Sequence, residues 1–242
     1  MGKEILPYKD SDLNKKEQVR QMFDTISGNY DGLNRLITFG ADIRWRKRLI
    51  RRVSDRNPET ILDIATGTGD LALAFASTPA QKIVGLDLSP GMLEVGRKKV
   101  VKQDLGDKVQ MVLGDSEALD FPNGSFDAAT VAFGVRNFEN LEKGLSEIYR
   151  VLKPGRILAI LETSVPEKKP FRWGYHLYGR HVLPLFGKLF SREGTAYSYL
   201  SESAAAFPHG EQFNNILGKI GFIGMKHEPQ TFGVATIYTA TK

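Results

Sequence analysis

The feature that most constrains the fold of this chain is a short apolar run that carries an acidic residue and enters a glycine-containing turn. The run spans residues 60–65 and includes Asp63, and the turn reads Thr66-Gly67-Thr68-Gly69-Asp70. Two later apolar runs also end at acids, Asp87 and Asp115. Because the C-terminal ends of strands in an open parallel sheet share one edge, where ligands bind, we expect these groups to form one site.

The glycine turn by itself fits two kinds of nucleotide site. The stretch from Gly67 to Ala72 matches the relaxed G-x-G-x-x-A pattern of dinucleotide-binding proteins, and Asp87 follows Gly69 by 18 residues. The ribose-binding acid of a dinucleotide site lies ~20 residues beyond the glycines. A nicotinamide cofactor and S-adenosylmethionine are therefore equally compatible with this segment alone.

Asp63 favours S-adenosylmethionine, because it precedes the glycines. A carboxylate there can accept hydrogen bonds from the amino group of a methionine tail, whereas it would repel a pyrophosphate. Asp115 is an acceptor for the exocyclic amine of adenine. The sequence therefore predicts S-adenosylmethionine as the cofactor.

Strand and helix patterns alternate from residue 60 onwards, which is typical of β-α-β units and a parallel sheet. The predicted strands are 60–65, 82–87, 109–113, 126–133 and 156–162. The predicted helices are 12–27, 42–54, 69–77, 90–104 and 139–152. Residues 222–228 and 233–240 form a predicted hairpin with a turn around Pro229, and Lys153-Pro154-Gly155 is predicted to separate the last of these helices from the strand after it.

An antiparallel C-terminal hairpin on a parallel sheet is typical of methyltransferases and absent from dinucleotide dehydrogenases. The predicted fold class is therefore α/β: a Rossmann-like methyltransferase with a mostly parallel seven-stranded sheet. We predict a single domain over residues 1–242, with a lid-like aromatic insertion after the fifth strand. Its predicted parts are an N-terminal helical extension (1–57), a cofactor-binding core (58–162), the insertion (163–210), and a C-terminal helix and hairpin (211–242).

Composition narrows the classes of function. The chain has no cysteine, which excludes disulfides and thiolate metal sites, and no histidine cluster indicates a metal. No apolar run approaches the ~20 residues of a membrane-spanning helix, and the N-terminus lacks the apolar core of a signal peptide. We therefore expect a cytoplasmic protein. The net charge of +5 is modest and dispersed, which disfavours a nucleic-acid partner.

Three further segments resemble a known family. They begin at Tyr30-Asp31-Gly32-Leu33-Asn34, at Phe133-Gly134-Val135-Arg136-Asn137 and at Arg150-Val151-Leu152-Lys153-Pro154-Gly155. Together with the glycine turn they resemble the demethylmenaquinone methyltransferase / ubiquinone biosynthesis C-methyltransferase family, from about Val19 to the C-terminus. The chain departs from the family at Asp42, where the family usually has histidine.

This resemblance implies carbon methylation of a polyprenylated quinol ring by S-adenosylmethionine. The cofactor-binding residues that it implies are Asp63, Gly67, Thr68, Gly69, Asp87, Asp115 and Ser116. Arg136 is the candidate to stabilise a phenolate, Asn137 to orient the same oxygen, and His181, or else a water molecule, to accept the proton. The implied substrate-binding residues are Tyr30, Asp31, Phe133 and Tyr178.

Demethylmenaquinol, in menaquinone biosynthesis, is the first choice of substrate. The alternatives are a dual-use enzyme that also methylates the benzoquinol precursor of ubiquinone, and a methyltransferase for another lipophilic molecule. A nicotinamide oxidoreductase is the least favoured alternative. The prenyl tail suggests peripheral contact with the inner face of the membrane through the aromatic insertion. An oligomer is compatible with the sequence, which does not specify one.

Overall fold

The computed structural model describes residues 5–177 and 194–242, and its central element is a seven-stranded sheet. The strands are β1 (Thr60–Ile64), β2 (Lys82–Asp87), β3 (Val109–Leu113), β4 (Phe126–Ala132), β5 (Leu152–Thr163), β6 (Ile223–Gln230) and β7 (Ala235–Thr241). Their order is β3-β2-β1-β4-β5-β7-β6. Strands β1 to β5 pair in parallel, and β7 is antiparallel to β5 and β6. The predicted sheet and its C-terminal hairpin are confirmed.

Helices connect the strands and cover both faces of the sheet. They are α1 (Lys15–Ile26), α2 (Tyr30–Ile37), α3 (Ala41–Ser54), α4 (Asp70–Phe75), α5 (Pro90–Lys102), α6 (Leu141–Val151), α7 (Lys169–Leu177), α8 (Gly194–Ala206) and α9 (Glu211–Ile220). The predicted start of α5 is confirmed, because Ser89 Oγ accepts a hydrogen bond from the N–H of Met92 (3.1 Å). In the described ranges, no helix is long and apolar enough to cross a membrane.

Two hydrophobic cores lie on opposite faces of the sheet. Alternate residues of a strand point to opposite sides, so Leu62 and Ile64 join the core beneath α6 and α9. Ile61, which precedes Leu62 in the strand, joins the core beneath α3, α4 and α5. Because both faces are covered, the parallel strands are almost continuously apolar in sequence.

The order of the strands determines where a ligand can bind. From β1 the chain builds outwards through β2 and β3, and it then returns to place β4 on the other side of β1. A crevice forms beyond the carboxyl ends of the strands at such a reversal. In this chain the reversal lies between β1 and β4, directly above the glycine turn that follows β1.

The predicted break at Lys153-Pro154-Gly155 is wrong in its position. Helix α6 ends at Val151, and β5 begins at once with Leu152, so the three residues lie within the strand. The pairing of β5 with β4 shifts at this point, which marks a bulge, and Gly155 adopts a φ of +74° there. A bulge, rather than a loop, therefore accommodates the proline and glycine.

The predicted turn around Pro229 is also misplaced. Pro229 lies within β6, and the chain reverses after it, at Thr231–Gly233. Strand β6 is the outer strand of the sheet, where the missing N–H of proline is tolerated.

A buried carboxylate stabilises the opposite edge of the sheet, at the start of β4. Asp127 Oδ2 accepts hydrogen bonds from the N–H and the hydroxyl of Thr60, and Oδ1 contacts Lys153 Nζ (3.0 Å) and Arg156 (3.2 Å). Burial acts to raise the pKa of Asp127, but the bonds from Lys153 and Thr60 outweigh it and lower that pKa to about 2.

We expect Asp127→Asn to lower the free energy of unfolding by about 2 kcal/mol at pH 7. The depressed pKa means that the carboxylate stabilises the fold above its unfolded pKa, near 3.8, and that this contribution is lost as the pH falls towards 2. Urea unfolding at pH 7 and at pH 3 measures the effect. A difference between variant and parent that stays constant over this range would contradict the assignment.

Candidate active site

A cavity opens at the predicted edge of the sheet, beneath helix α1. Of the residues predicted to form the site, the cavity is lined by Gly67, Asp87, Asp115, Ser116, Tyr30, Phe133 and Asn137. Helix α1 closes one side, because Lys15 Nζ donates to the carbonyl of Phe138 (2.7 Å) and Asp24 accepts a hydrogen bond from Ser89 Oγ (2.6 Å). Residues from distant parts of the chain therefore meet at one site.

The turn after β1 requires glycine for both conformation and space. Gly67 and Gly69 have φ values of +58° and +81°, in the left-handed region that favours glycine. A β-carbon on Gly69 would lie 2.6 Å from Met111 Cε. A substitution at either glycine would therefore strain the backbone, and Gly67 lines the cavity.

Asp87 connects the ends of β1 and β2. Its Oδ2 accepts a hydrogen bond from the N–H of Gly67 (2.7 Å), and its Oδ1 accepts one from the N–H of Ser89 (2.8 Å). Burial raises the pKa of Asp87, and these backbone bonds partly offset that rise. Each oxygen retains a second lone pair, so the carboxylate can still accept hydrogen bonds from a diol in the cavity.

Asp63 is fully buried beside the glycine turn. Its two oxygens accept hydrogen bonds from Thr66 Oγ1 (2.6 Å) and Thr130 Oγ1 (2.7 Å). Burial raises the pKa of Asp63 to about 6, against the effect of the two hydroxyls. A cation bound nearby would favour the ionised form, which fits an ammonium group better than a pyrophosphate.

Asp115 and Ser116 lie at the far end of the cavity, where α1 crosses the sheet edge. Asp115 Oδ2 contacts Lys16 Nζ (2.7 Å), and Oδ1 accepts a hydrogen bond from the N–H of Glu117 (2.8 Å). Lys16 also contacts Glu117 (3.4 Å). The sequence analysis identified Asp115 at this strand end. It missed Lys16, which lies 99 residues earlier in the chain.

Asp31 and Thr68 contact each other beside the glycine turn. Thr68 Oγ1 donates to Asp31 Oδ1 (2.5 Å), and Thr68 is 2% exposed. Lys99 Nζ lies 2.5 Å from Asp31 and 2.6 Å from Asp70. The contacts attach α2 to the glycine turn, and the substrate contact expected of Asp31 stays a prediction.

Arg136 follows β4 and forms a buried ion pair with Glu162, near the end of β5. Its NH1 also donates to the carbonyl of Phe133 (2.9 Å), and within the described ranges its Nε has no hydrogen-bond partner. Glu162 is fully buried. Burial acts to lower the pKa of Arg136, but the charge of Glu162 outweighs it and raises that pKa. The arginine therefore stays charged inside an apolar surrounding.

Three tyrosines surround this ion pair. Burial raises the pKa values of Tyr30 and Tyr175, and raises the pKa of Tyr199 to about 12, while the charge of Arg136 acts in the opposite direction at all three. The hydroxyl of Tyr199 donates to Asn137 Oδ1 (3.2 Å). Of the residues around the ion pair, Tyr30 and Asn137 line the cavity, whereas Arg136, Glu162 and Tyr199 are buried.

Sequence reasoning missed Glu162 and Tyr199 as site residues. A signal for Glu162 was present, since it ends an apolar run in the same way as the other three acids. Two of the predicted site residues, His181 and Tyr178, lie outside the described residues.

The chain is similar to named proteins over nearly its whole length. The chain is 46% identical over 239 residues to a protein from Bacteroides fragilis named demethylmenaquinone methyltransferase, covering 98% of this chain and 97% of that protein. It is 44% identical over 230 residues to a ubiquinone/menaquinone biosynthesis C-methyltransferase UbiE from Geobacter sulfurreducens, covering 94% and 90%.

Solved structures share the fold at lower identity. A Haemonchus contortus phosphoethanolamine N-methyltransferase 2 superimposes with a TM-score of 0.68 at 19% identity, covering 97% of this chain and 61% of that one. A methyltransferase from Thermotoga maritima gives 0.64 at 20%, covering 92% and 99%. The model of the ubiE/COQ5 methyltransferase family matches residues 11–242. The chain therefore belongs to the ubiE/COQ5 methyltransferase family.

Proposed function

We propose that this chain methylates a ring carbon of demethylmenaquinol with S-adenosylmethionine, as the last ring modification before menaquinol. The observation that carries the proposal is an acid-lined cavity whose wall includes Tyr30 and Asn137, with the buried Arg136–Glu162 ion pair next to Asn137 in the chain. The names of relatives at 42–46% identity support the same substrate.

The cofactor is assigned to the residues whose chemistry matches its groups. Asp87 would accept hydrogen bonds from the ribose hydroxyls, Asp115 and Ser116 would contact the adenine edge, and the Gly67–Gly69 turn would lie against the methionine tail. Asp63 would hold the charge opposite the amino group of that tail from its buried position. When bound, S-adenosylmethionine supplies an electrophilic sulfonium methyl group.

The residues of the chain would make the ring carbon nucleophilic. A quinol hydroxyl is a phenol with a pKa near ~10, so its ring carbon becomes enolate-like only as the oxygen gains negative charge. Arg136 is a buried cation next to Asn137, which lines the cavity, and it would stabilise that charge. Asn137, held through Tyr199, would orient the same oxygen.

One proton must leave the ring as the carbon–carbon bond replaces the carbon–hydrogen bond. A water molecule held near Arg136 is one candidate acceptor, and His181 is the other. We assign the chain to the inner face of the membrane, where a polyprenylated quinol is available to a protein of the cytoplasm.

A second candidate function is supported by one specific comparison. Relatives at 44% identity carry the name ubiquinone/menaquinone biosynthesis C-methyltransferase, so a dual-use enzyme accepts both the naphthoquinol and the benzoquinol ring. Arg136 and Asn137 would address a hydroxyl that both rings possess.

Transfer of labelled methyl from S-adenosylmethionine tests the proposal. We expect label in reduced demethylmenaquinone, with the demethylated benzoquinol assayed in parallel and the oxidised quinone as the control. Label in the naphthoquinol alone supports the first function, and label in both supports dual use. Absence of label in both, with the cofactor still bound, would reject the quinol assignment.

A further inference from the structure

Helix α3 carries an arginine that the proposed reaction does not use. Arg46 forms an ion pair with Asp42, one turn earlier in the helix, and the two side chains are 13% and 2% exposed. The other carboxylate oxygen of Asp42 accepts a hydrogen bond from Thr38 Oγ1 (2.7 Å). Because removing two charges from water costs free energy that their attraction does not always offset, a pair this buried suggests a role beyond stability.

The guanidinium of Arg46 has donors left over from this pair. In the described parts of the chain, its one hydrogen bond runs from Nη1 to Asp42. Among the described residues, the buried side-chain atoms that lack a hydrogen-bond partner do not include Nε and Nη2 of Arg46. These two groups therefore reach space that is open to solvent or to a ligand. The planar fork of an arginine matches the two oxygens of a carboxylate.

Arg46 also contacts a residue of the cavity wall. Its guanidinium carbon lies 5.6 Å from the centre of the Phe133 ring, which is a cation–π contact, and Phe133 lines the cavity. The ring of Trp45 lies on the same phenylalanine, with centroids 6.3 Å apart. Phe133 has a φ of +60°, a conformation that is rare outside glycine and that clusters at functional sites. The charge of Arg46 therefore lies against the wall of the cavity.

This part of the wall belongs to the glycine-turn end of the cavity. Phe133 and Gly134 follow β4, which pairs with β1, and Ala65 follows β1. A β-carbon on Gly134 would lie 2.5 Å from that of Ala65, so the turn after β4 packs directly on the turn after β1. All three residues line the cavity. Arg46 therefore lies near the end that is assigned to the methionine tail.

The electrostatics of neighbouring groups agree with this position. The charge of Arg46 acts to lower the pKa values of Asp63 and Tyr30, although burial outweighs it at both groups. Asp63 is the acid assigned to the amino group of the methionine tail. That tail is a zwitterion, so its carboxylate also needs a charged or hydrogen-bonding partner when it leaves water. Arg46 is a cation at the matching end of the cavity.

We propose that Arg46 binds the α-carboxylate of S-adenosylmethionine, with Asp42 and the Phe133 ring holding the guanidinium in place. This inference rests on the proposed function, because it concerns the cofactor assigned to the same cavity. Asp63 and Arg46 then address the two opposite charges of the methionine tail. The site consequently selects a nucleoside with an amino acid tail over one that lacks the carboxylate.

A cofactor analogue tests the contact on the unaltered protein. Decarboxylated S-adenosylmethionine lacks the carboxylate and keeps the nucleoside, the sulfonium and the amino group. We expect calorimetric titration to show at least ~10-fold tighter binding of S-adenosylmethionine than of this analogue, because a charged hydrogen bond is lost. Equal affinity for the two ligands would overturn the inference. This comparison needs no variant, so it does not depend on whether a substitution disturbs folding.

A double variant assigns the preference to Arg46. Asp42→Asn with Arg46→Gln neutralises both members of the pair, so that no lone charge is left buried, and asparagine can still accept the hydrogen bond from Thr38. The variant should bind S-adenosylmethionine at least ~10-fold more weakly than the parent and the decarboxylated analogue within ~2-fold of it. An equal loss for both ligands would show that Arg46 supports the fold of the site instead, and would overturn the inference.

A matched control neutralises another ion pair of the same helix. Arg52→Gln with Glu228→Gln removes a pair whose side chains are 52% and 37% exposed. This control should keep the parent preference for S-adenosylmethionine over the decarboxylated analogue. Loss of the preference in the control as well as in the double variant would contradict a specific role for Arg46. A thermal melt of each variant shows that the titrated protein is folded.

Methyl-transfer assays separate this inference from the proposed function. If the parent prefers the ligand with the carboxylate and methylates no quinol, the proposed function fails alone. If the parent methylates the quinol and binds both ligands equally, the inference about Arg46 fails alone. The same conclusion follows if the double variant keeps the full preference of the parent.

Discussion

Arg136→Lys is expected to lower kcat for methyl transfer by ~100- to 1,000-fold while leaving cofactor affinity within twofold of the parent value. The reason is geometric. Lysine keeps a positive charge opposite the fully buried Glu162, so the ion pair is not broken. Lysine lacks the planar guanidinium group of Arg136. That group contacts both Glu162 and the carbonyl of Phe133 and still has a further N–H group to present.

The choice of lysine matters for interpretation. Removing the charge with alanine would leave Glu162 buried without its partner, which costs ~3–5 kcal/mol of stability and would mix folding with catalysis. Single-turnover kinetics with reduced demethylmenaquinone, together with calorimetric titration of the cofactor, measures the two effects separately. Arg52→Lys, in an exposed pair with Glu228, is the matched control and should keep the parent kcat. A variant at Arg136 that loses cofactor binding as severely as activity would make this arginine structural.

The sequence predicts the parts of this fold that depend on local patterns. Strands β1 to β3 are recovered to within a residue, because each is an apolar run bounded by polar residues. Parallel strands run in the same direction, so their acidic C-terminal ends lie on one edge of the sheet. The topology of the sheet decides this placement. The same reasoning extends to Glu162 at the end of β5, whose role becomes visible only once Arg136 is seen beside it.

The parts that escape prediction depend on contacts between distant residues. Helix α2 is short and contains Gly32, so its pattern is weak, and it is held by Asp31 on Thr68 and Lys99. No pattern in the sequence indicates these contacts of Asp31, which connect α2 to the glycine turn. The ion pair of Lys16 with Asp115 depends on how α1 packs across the sheet. The hydrophobic periodicity of the sequence does not specify that packing.

Asp87→Asn is expected to weaken the binding of S-adenosylmethionine at least ~100-fold. Asp87 uses one lone pair on each oxygen for the N–H groups of Gly67 and Ser89, and it offers the others to the cavity. Asparagine replaces one of those acceptors with an NH2 group, which must oppose one of the two N–H donors. The variant therefore loses a charged hydrogen bond worth ~1.5–3 kcal/mol and displaces the glycine turn as well.

Calorimetric titration with S-adenosylhomocysteine, which has the same ribose, measures this effect without turnover. Asp115→Asn should cost less, about tenfold, because Asp115 already shares its charge with Lys16 and lies at the more open end of the cavity. Asp107→Asn, at an exposed residue between α5 and β3, is the control and should bind as the parent does. Asp87 is assigned both to the glycine turn and to the ribose. A thermal melt therefore shows whether the variant binds weakly because its fold is disturbed or because a ligand contact is lost. Weak binding with an unchanged melting temperature assigns Asp87 to the ligand, whereas unchanged affinity in a folded variant would refute the ribose assignment and with it the predicted orientation of the cofactor.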